Sequence, residues 1–313
     1  GYRKDAWRLW RGILPGTPAL RSRLGPRLLE DWADITRDPE LARMDVELKA
    51  RRGNWASAAA AAEAGRRLHP GALDAALAWA RWGDPEADLL EELLRVVPGA
   101  RPDLIRALAD GGRPELALAL AQSRTERGIA LERLGRWVEL RRLQPTSSAP
   151  LLMMIGAGRA ASARRGARVL SAPERARVEA TAAWSQGRLD EARTIIESEE
   201  VPVTHWGLWW TVTGTLPPNA RERAEEVWRA WSQRPLEERL LGPPSPWAEA
   251  WATIALAEED EAALCRARWL DPMHPRVLQA ELTSGPAPAL RHAQAVAKAA
   301  SDPLLAAALG GVR

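Results

Sequence analysis

The chain has 313 residues, 46 % apolar and 27 % charged, and its net charge is only +3 despite a pI near 9.6. That balance excludes a disordered chain, and no run reaches the ~18 to 20 apolar residues that a helix crossing a bilayer needs. At this length either two domains or one extended repeat array is expected.

Residue usage is lopsided, with sixteen Trp, one Tyr (Tyr2) and no Phe. Lysine occurs only as Lys4, Lys49 and Lys298, so nearly all positive charge is Arg. A GC-rich bacterial genome accounts for the wealth of Ala, Arg, Gly, Pro and Trp, although nothing physical explains the missing Phe. The one cysteine, Cys265, allows no internal disulfide and no thiolate metal cluster. Its setting, "ALCRARWL", suggests a packed thiol, and the cysteine usage leans towards the cytosol.

In chain order, residues 1–39 come first. Arg3, Lys4, Arg8 and Arg11 surround Trp7 and Trp10 there. Basic residues mixed with Trp suit either an amphipathic cap or a membrane–water interface. The segment is expected to be an N-terminal helical cap, or a juxtamembrane stretch behind a membrane segment preceding Gly1. Positive charge beside such a segment places the rest of the chain in the cytoplasm.

Residues 40–285 read as helical hairpins. Ala, Leu, Arg and Glu fill stretches of helical length, and strand patterns are nearly absent. Turns are expected at Gly53-Asn54, Gly83-Asp84, Gly111-Gly112, Gly135-Arg136, Gly187-Arg188 and Pro217-Pro218-Asn219. The spacing predicts one helix from Pro173 to Gln186 and a second from Leu189 to Ser198, with Ala192, Ile195 and Ile196 on its buried stripe. The pairs Arg51-Arg52, Arg66-Arg67 and Arg141-Arg142 fall at expected helix C-termini, where they offset the helix dipole. Residues 286–313 are Ala-rich and read as a C-terminal capping helix. Hairpins repeating at near-constant spacing predict an all-α fold, an α-solenoid in which each hairpin buries its apolar face on its neighbours.

Three stretches carry a family resemblance. "RRGNWASAAAAAEAGRRLHPG" has Gly53, Trp55, Ala58 and Pro70 in the places of the second half of a tetratricopeptide repeat. "GRLDEARTIIESEEVP" resembles the same half through Gly187, Leu189, Ala192 and Ile196. "ARWLDPMHPRVLQAEL" resembles the junction, with Leu270-Asp271-Pro272 closing one unit and Pro275 opening the next. The chain is similar to that family across roughly 40 to 300. The resemblance implies a right-handed superhelix whose concave groove receives a peptide or protein.

Motifs for chemistry do not assemble. Gly156-x-Gly158-x-x-Ala161 is written like a dinucleotide turn, but the helix after it would be barely two turns long, too short for a βαβ crossover. It reads instead as a helix–turn–helix, with Leu151–Ile155 in the first helix. His69, His205, His274 and His292 show no metal-ligand spacing. The acids Glu258-Glu259-Asp260-Glu261 fit a helix N-terminus. No catalytic residue, cofactor or metal is therefore expected.

The remaining signal is Trp-rich. Trp206, Trp209, Trp210, Trp228, Trp231, Trp247 and Trp251 lie close in sequence, with Arg221, Arg223, Arg229 and Arg234 among them. They are either aromatic packing in a chain without Phe or the floor of a binding surface. The expectation taken forward is a non-catalytic scaffold or assembly adaptor, with that Trp set plus Arg221 and Arg229 contacting a protein or peptide partner. Nucleic acid is disfavoured, because Glu222, Glu225 and Glu226 interleave with the Arg residues. The alternatives kept are a nucleic-acid-binding helical repeat and the soluble domain of a membrane-anchored protein.

Overall fold

A computed structural model describes residues 38–197 and 202–284. The expected caps at 1–39 and 286–313 therefore lie outside the described residues, apart from Asp38 and Pro39. Every regular element described is helical, and no strand occurs among the described residues.

Local chemistry sets where the helices begin and end. α1 (Pro39–Arg51) starts behind Asp38, whose carboxylate accepts from Glu40 N–H at 3.0 Å, with Pro39 where a missing N–H costs nothing. α2 (Trp55–Leu68) and α3 (Leu73–Trp82) follow, then α4 (Ala87–Val96), α5 (Arg101–Asp110) and α6 (Pro114–Leu120). Ser123 and Glu126 form a capping box on α7 (Arg124–Arg133), satisfying backbone donors that the first turn leaves open. Gly53, Gly112, Gly135 and Gly187 all have φ between 67° and 80°, the left-handed backbone that a tight helix exit requires. The expected turn at 217–219 is also present, with Asn219 left-handed. Gly83 stops α3 in an extended conformation instead.

The middle of the chain is built of short helices. α8 (Trp137–Leu143), α9 (Ala149–Gly156) and α10 (Ala160–Gly166) have seven or eight residues each. The dinucleotide-like motif spans α9, a left-handed turn at Gly158 and α10, with Leu151 to Ile155 buried. α11 (Ala172–Ser185) and α12 (Leu189–Glu197) fall within one residue of the expected hairpin. The last six are α13 (Trp206–Thr213), α14 (Ala220–Ser232), α15 (Leu236–Leu241), α16 (Trp247–Glu258), α17 (Glu261–Leu270) and α18 (Pro275–Ser284). Asp260 caps α17 by accepting from Ala262 and Ala263 N–H, so the acidic run serves a helix start as expected. Cys265 differs from expectation. It is exposed, because the buried face of α17 falls to Ala263, Leu264, Ala267 and Leu270.

Helices pack on their neighbours in sequence and on the next but one. α1 meets α3, α3 meets α5, and α5 meets α7; α9, α11 and α13 repeat the pattern, as do α16 and α18. Small residues permit this closeness: Ala58, Ala80, Ala117, Ala163 and Ala183 are all fully buried.

The two ends of the described chain also meet. Leu41, Met44 and Leu48 of α1 share a core with Leu236 and Leu240 of α15. Val46, Ala50, Trp55 and Trp82 share another with Met273 and Leu278. Arg51, in the last turn of α1, donates to the carbonyls of Trp269 and Leu240. The first and last described helices are therefore joined across more than 180 residues of sequence, which hairpin spacing alone does not foretell.

Candidate functional site

The closure creates a cleft of about 340 Å³. It draws on α1 (Arg43, Glu47), α3 (Leu77, Arg81), α5 (Asp103, Arg106, Ala107, Asp110) and the segment Leu240–Pro244 that leaves α15. Helical spacing places each set on one face: i,i+4 on α1 and α3, and i,i+3,i+4,i+7 on α5. A second hollow, about 440 Å³ between Glu91, Arg95, Arg101 and Gln122, lies among consecutive elements. The first is the better candidate because four elements distant in sequence converge on it.

Charge in the cleft is nearly balanced and mostly paired at its inner end. Glu47 accepts from Trp82 Nε1 at 3.0 Å and from Arg81 at 3.4 Å. Arg81 lies 3.7 Å from Asp271, in the loop before α18. Burial pushes the Glu47 carboxyl up, but the Arg81 and Arg51 charges and the Trp82 N–H outweigh it and hold Glu47 below the usual range. Burial also opposes the charge on Arg81, yet Glu47, Asp110 and Asp271 together raise its pKa. Asp110 is bound by Arg133 at 2.8 Å. Towards the rim, Arg43 pairs with Asp74 at 2.9 Å. Asp103 and Arg106 are exposed there, one helical turn apart.

The Trp residues singled out in the sequence lie elsewhere. Trp206 and Trp251 are fully buried and Trp231 is nearly so, whereas Trp209, Trp210, Trp228 and Trp247 are half-buried. Trp228 stacks on Trp231 at 5.1 Å, and Trp206 meets Trp247 edge-on at 5.7 Å. Arginines cap the rings: Arg223 over Trp206, and Arg266 over both Trp251 (4.5 Å) and Trp228 (5.7 Å). Arg221 is tied to Glu258 and Asp260, while Arg229 is exposed on α14. Trp206, Trp228, Trp231, Trp247 and Trp251 thus build one core with α16 at its centre, Trp209 packs instead on Ala180, Ile196 and Leu208, and the fully buried rings present no face to a partner.

The cleft residues carried no local signal. Arg43, Arg81 and Arg106 are spread across three hairpins and become neighbours only through alternate-helix packing and the returning segment. Among the described residues, no group of His, Cys, Asp or Glu could hold a metal ion, and no helix is long and apolar enough to cross a membrane. Comparison with protein-family models, with curated proteins and with solved structures yielded no match to this chain.

Proposed function

We propose that the chain is a non-catalytic scaffold, a tetratricopeptide-like solenoid closed on itself, that holds a peptide segment of a partner in the cleft between α1, α3, α5 and Leu240–Pro244. The observation that carries this reading is the assembly of the cleft from alternate helices. Such helices form the binding face of hairpin arrays, and here they leave a hollow that mixes apolar side chains with paired charges inside and exposed charges at its rim. A rigid, pre-formed hollow needs little ordering on binding, so modest contacts suffice for affinity.

Three Arg and three acidic side chains line the cleft. Many other arginines are spent on ion pairs and indole rings. Among the described residues of the cleft no one-signed stripe results, which favours a peptide over nucleic acid.

The test is selection from a displayed peptide library on the purified chain, run beside a variant with the rim charges exchanged, Asp103→Arg with Arg106→Glu. Both side chains are exposed, so the variant is expected to fold and melt as the parent does. Sequences enriched on the parent should bind the variant at least tenfold more weakly. Equal binding to both proteins would move the site away from this cleft.

A further inference from the structure

We infer that Arg239, held between the rings of Trp231 and Trp269 beside the buried Arg51, is a binding site for a small oxyanion, a carboxylate or a phosphate group. Arg239 is 5 % exposed, and its guanidinium carbon lies 5.5 Å from the Trp231 ring and 5.6 Å from the Trp269 ring. Two indole faces stabilise a cation but leave its N–H groups unused. Nε is buried and without a hydrogen-bond partner. The two Nη atoms donate to no described residue, and at 5 % exposure only a small part of the fork meets solvent.

A buried guanidinium normally sits on a carboxylate, because the cost of removing it from water is otherwise unrecovered. Here Glu237 is the carboxylate whose charge reaches Arg239, and burial prevails over it, lowering the Arg239 pKa to about 10. Arg51, 3 % exposed, makes its hydrogen bonds to two backbone carbonyls. Burial lowers its pKa to about 10 as well, with Arg81 and Arg239 adding repulsion against Glu47 and Asp271. Glu47 and Asp271 are themselves engaged by Arg81. Of the three neighbouring guanidinium groups, Arg81 is paired with carboxylates and Arg51 is bonded to carbonyls, whereas Arg239 makes no side-chain hydrogen bond to a described residue. An oxyanion accepting from that fork in two parallel hydrogen bonds supplies the missing charge and the missing acceptors together.

The neighbours fit a small ligand and no large one. The indole rings fix the guanidinium plane, and Arg239 stands in the short helix α15, anchored by Leu236 and Leu240. At 5 % exposure the fork offers only a small surface, so a ligand reaches it with one or two oxygens. A chain-terminal or side-chain carboxylate of a peptide meets that limit, and so does a phosphoryl group.

The experiment uses the full chain with inorganic phosphate and with acetate, each titrated against sodium chloride at equal ionic strength. Calorimetry and thermal melting are the readouts. Saturable heat and a rise in melting temperature are expected with at least one oxyanion, since a ligand that binds only the folded state stabilises it. Arg239→Met should abolish both effects while still melting cooperatively in chloride, since the Met side chain keeps an apolar stem between the two indole rings. Arg239→Lys keeps the charge but loses the fork, and should weaken the effect at least tenfold; it serves if the Met variant does not fold. A stronger response to acetate assigns the site to carboxylates, and a stronger response to phosphate assigns it to phosphoryl groups. Oxyanions acting no differently from chloride overturn the inference, as does a response that survives in both variants.

Discussion

One missing carbon decides how α13 meets α16 and α18. Gly207 N–H donates to Glu249 Oε1 at 3.0 Å, and the Arg276 and His274 side chains gather on the same carboxylate at 3.6 and 3.5 Å. A Cβ on Gly207 would lie 2.6 Å from Arg276 Nε and closer still to Glu249, so the glycine is there for space and not for an unusual φ. Glu249 and Arg276 are both more than nine-tenths buried, hence neither can swing into water at low cost. Gly207→Ala is expected to destabilise the fold by about 1–3 kcal/mol, the usual cost of overpacking a filled core. Urea unfolding should show a lower midpoint with an unchanged slope; an unchanged midpoint would mean that α13 shifts freely. Nothing in "THWGLWW" signals this, because the demand comes from residues 42 and 69 positions away.

At the scale of elements, the sequence was most readable where one helix end answers to its own residues. The α11–α12 hairpin, the left-handed glycines, the Asp260 cap and the helix–turn–helix at Gly156–Ala161 all follow from local chemistry. What stayed hidden was which face each helix turns to a distant partner. The Trp set illustrates this: indole spacing on α14 and α16 is the same for a core and for a docking surface, and two of the deciding neighbours, α13 and α18, lie outside the α16–α17 hairpin. The cleft was hidden for the same reason, since its charges sit on α1, α3 and α5 and its far wall arrives 130 residues later.

A contact between elements also makes stability depend on pH. The buried His205, just ahead of α13, places Nε2 at 3.7 Å from Glu174 of α11. That imidazole, with Ser148 and Arg177, holds the Glu174 pKa at about 2, below its ordinary 4.5. A carboxyl whose pKa is depressed on folding contributes stability above its unfolded pKa and loses it as pH falls through the folded one. The loss should therefore develop between pH about 4.5 and about 2. Glu174 is partly exposed, so solvent screening keeps the contribution modest. Melting followed across that range should show a shallower acid decline for Glu174→Gln than for the parent; parallel curves would show that the pair is energetically silent.

For the whole molecule, closure changes how a disturbance should spread. In an open array of hairpins each unit leans only on its neighbours, so damage at one end stays local and the ends fray first. Here the last described helix, α18, completes the core of the first hairpin through Leu278, which is fully buried with Val46, Trp55 and Trp82. The seam has polar ties as well: Arg51 to the carbonyls of Trp269 and Leu240, and Arg81 to Asp271. Leu278→Ala would leave a cavity there and cost about 2–5 kcal/mol, depending on how far the seam collapses. Because both ends share that core, amide hydrogen-exchange protection should fall in residues 39–82 as well as in 247–281, while the helices from α7 to α11 change less. Loss confined to α16–α18 would mean that the seam is only a contact. Loss on both sides would mean that the two ends open together and that the cleft, whose walls come from both, exists only while the seam is shut.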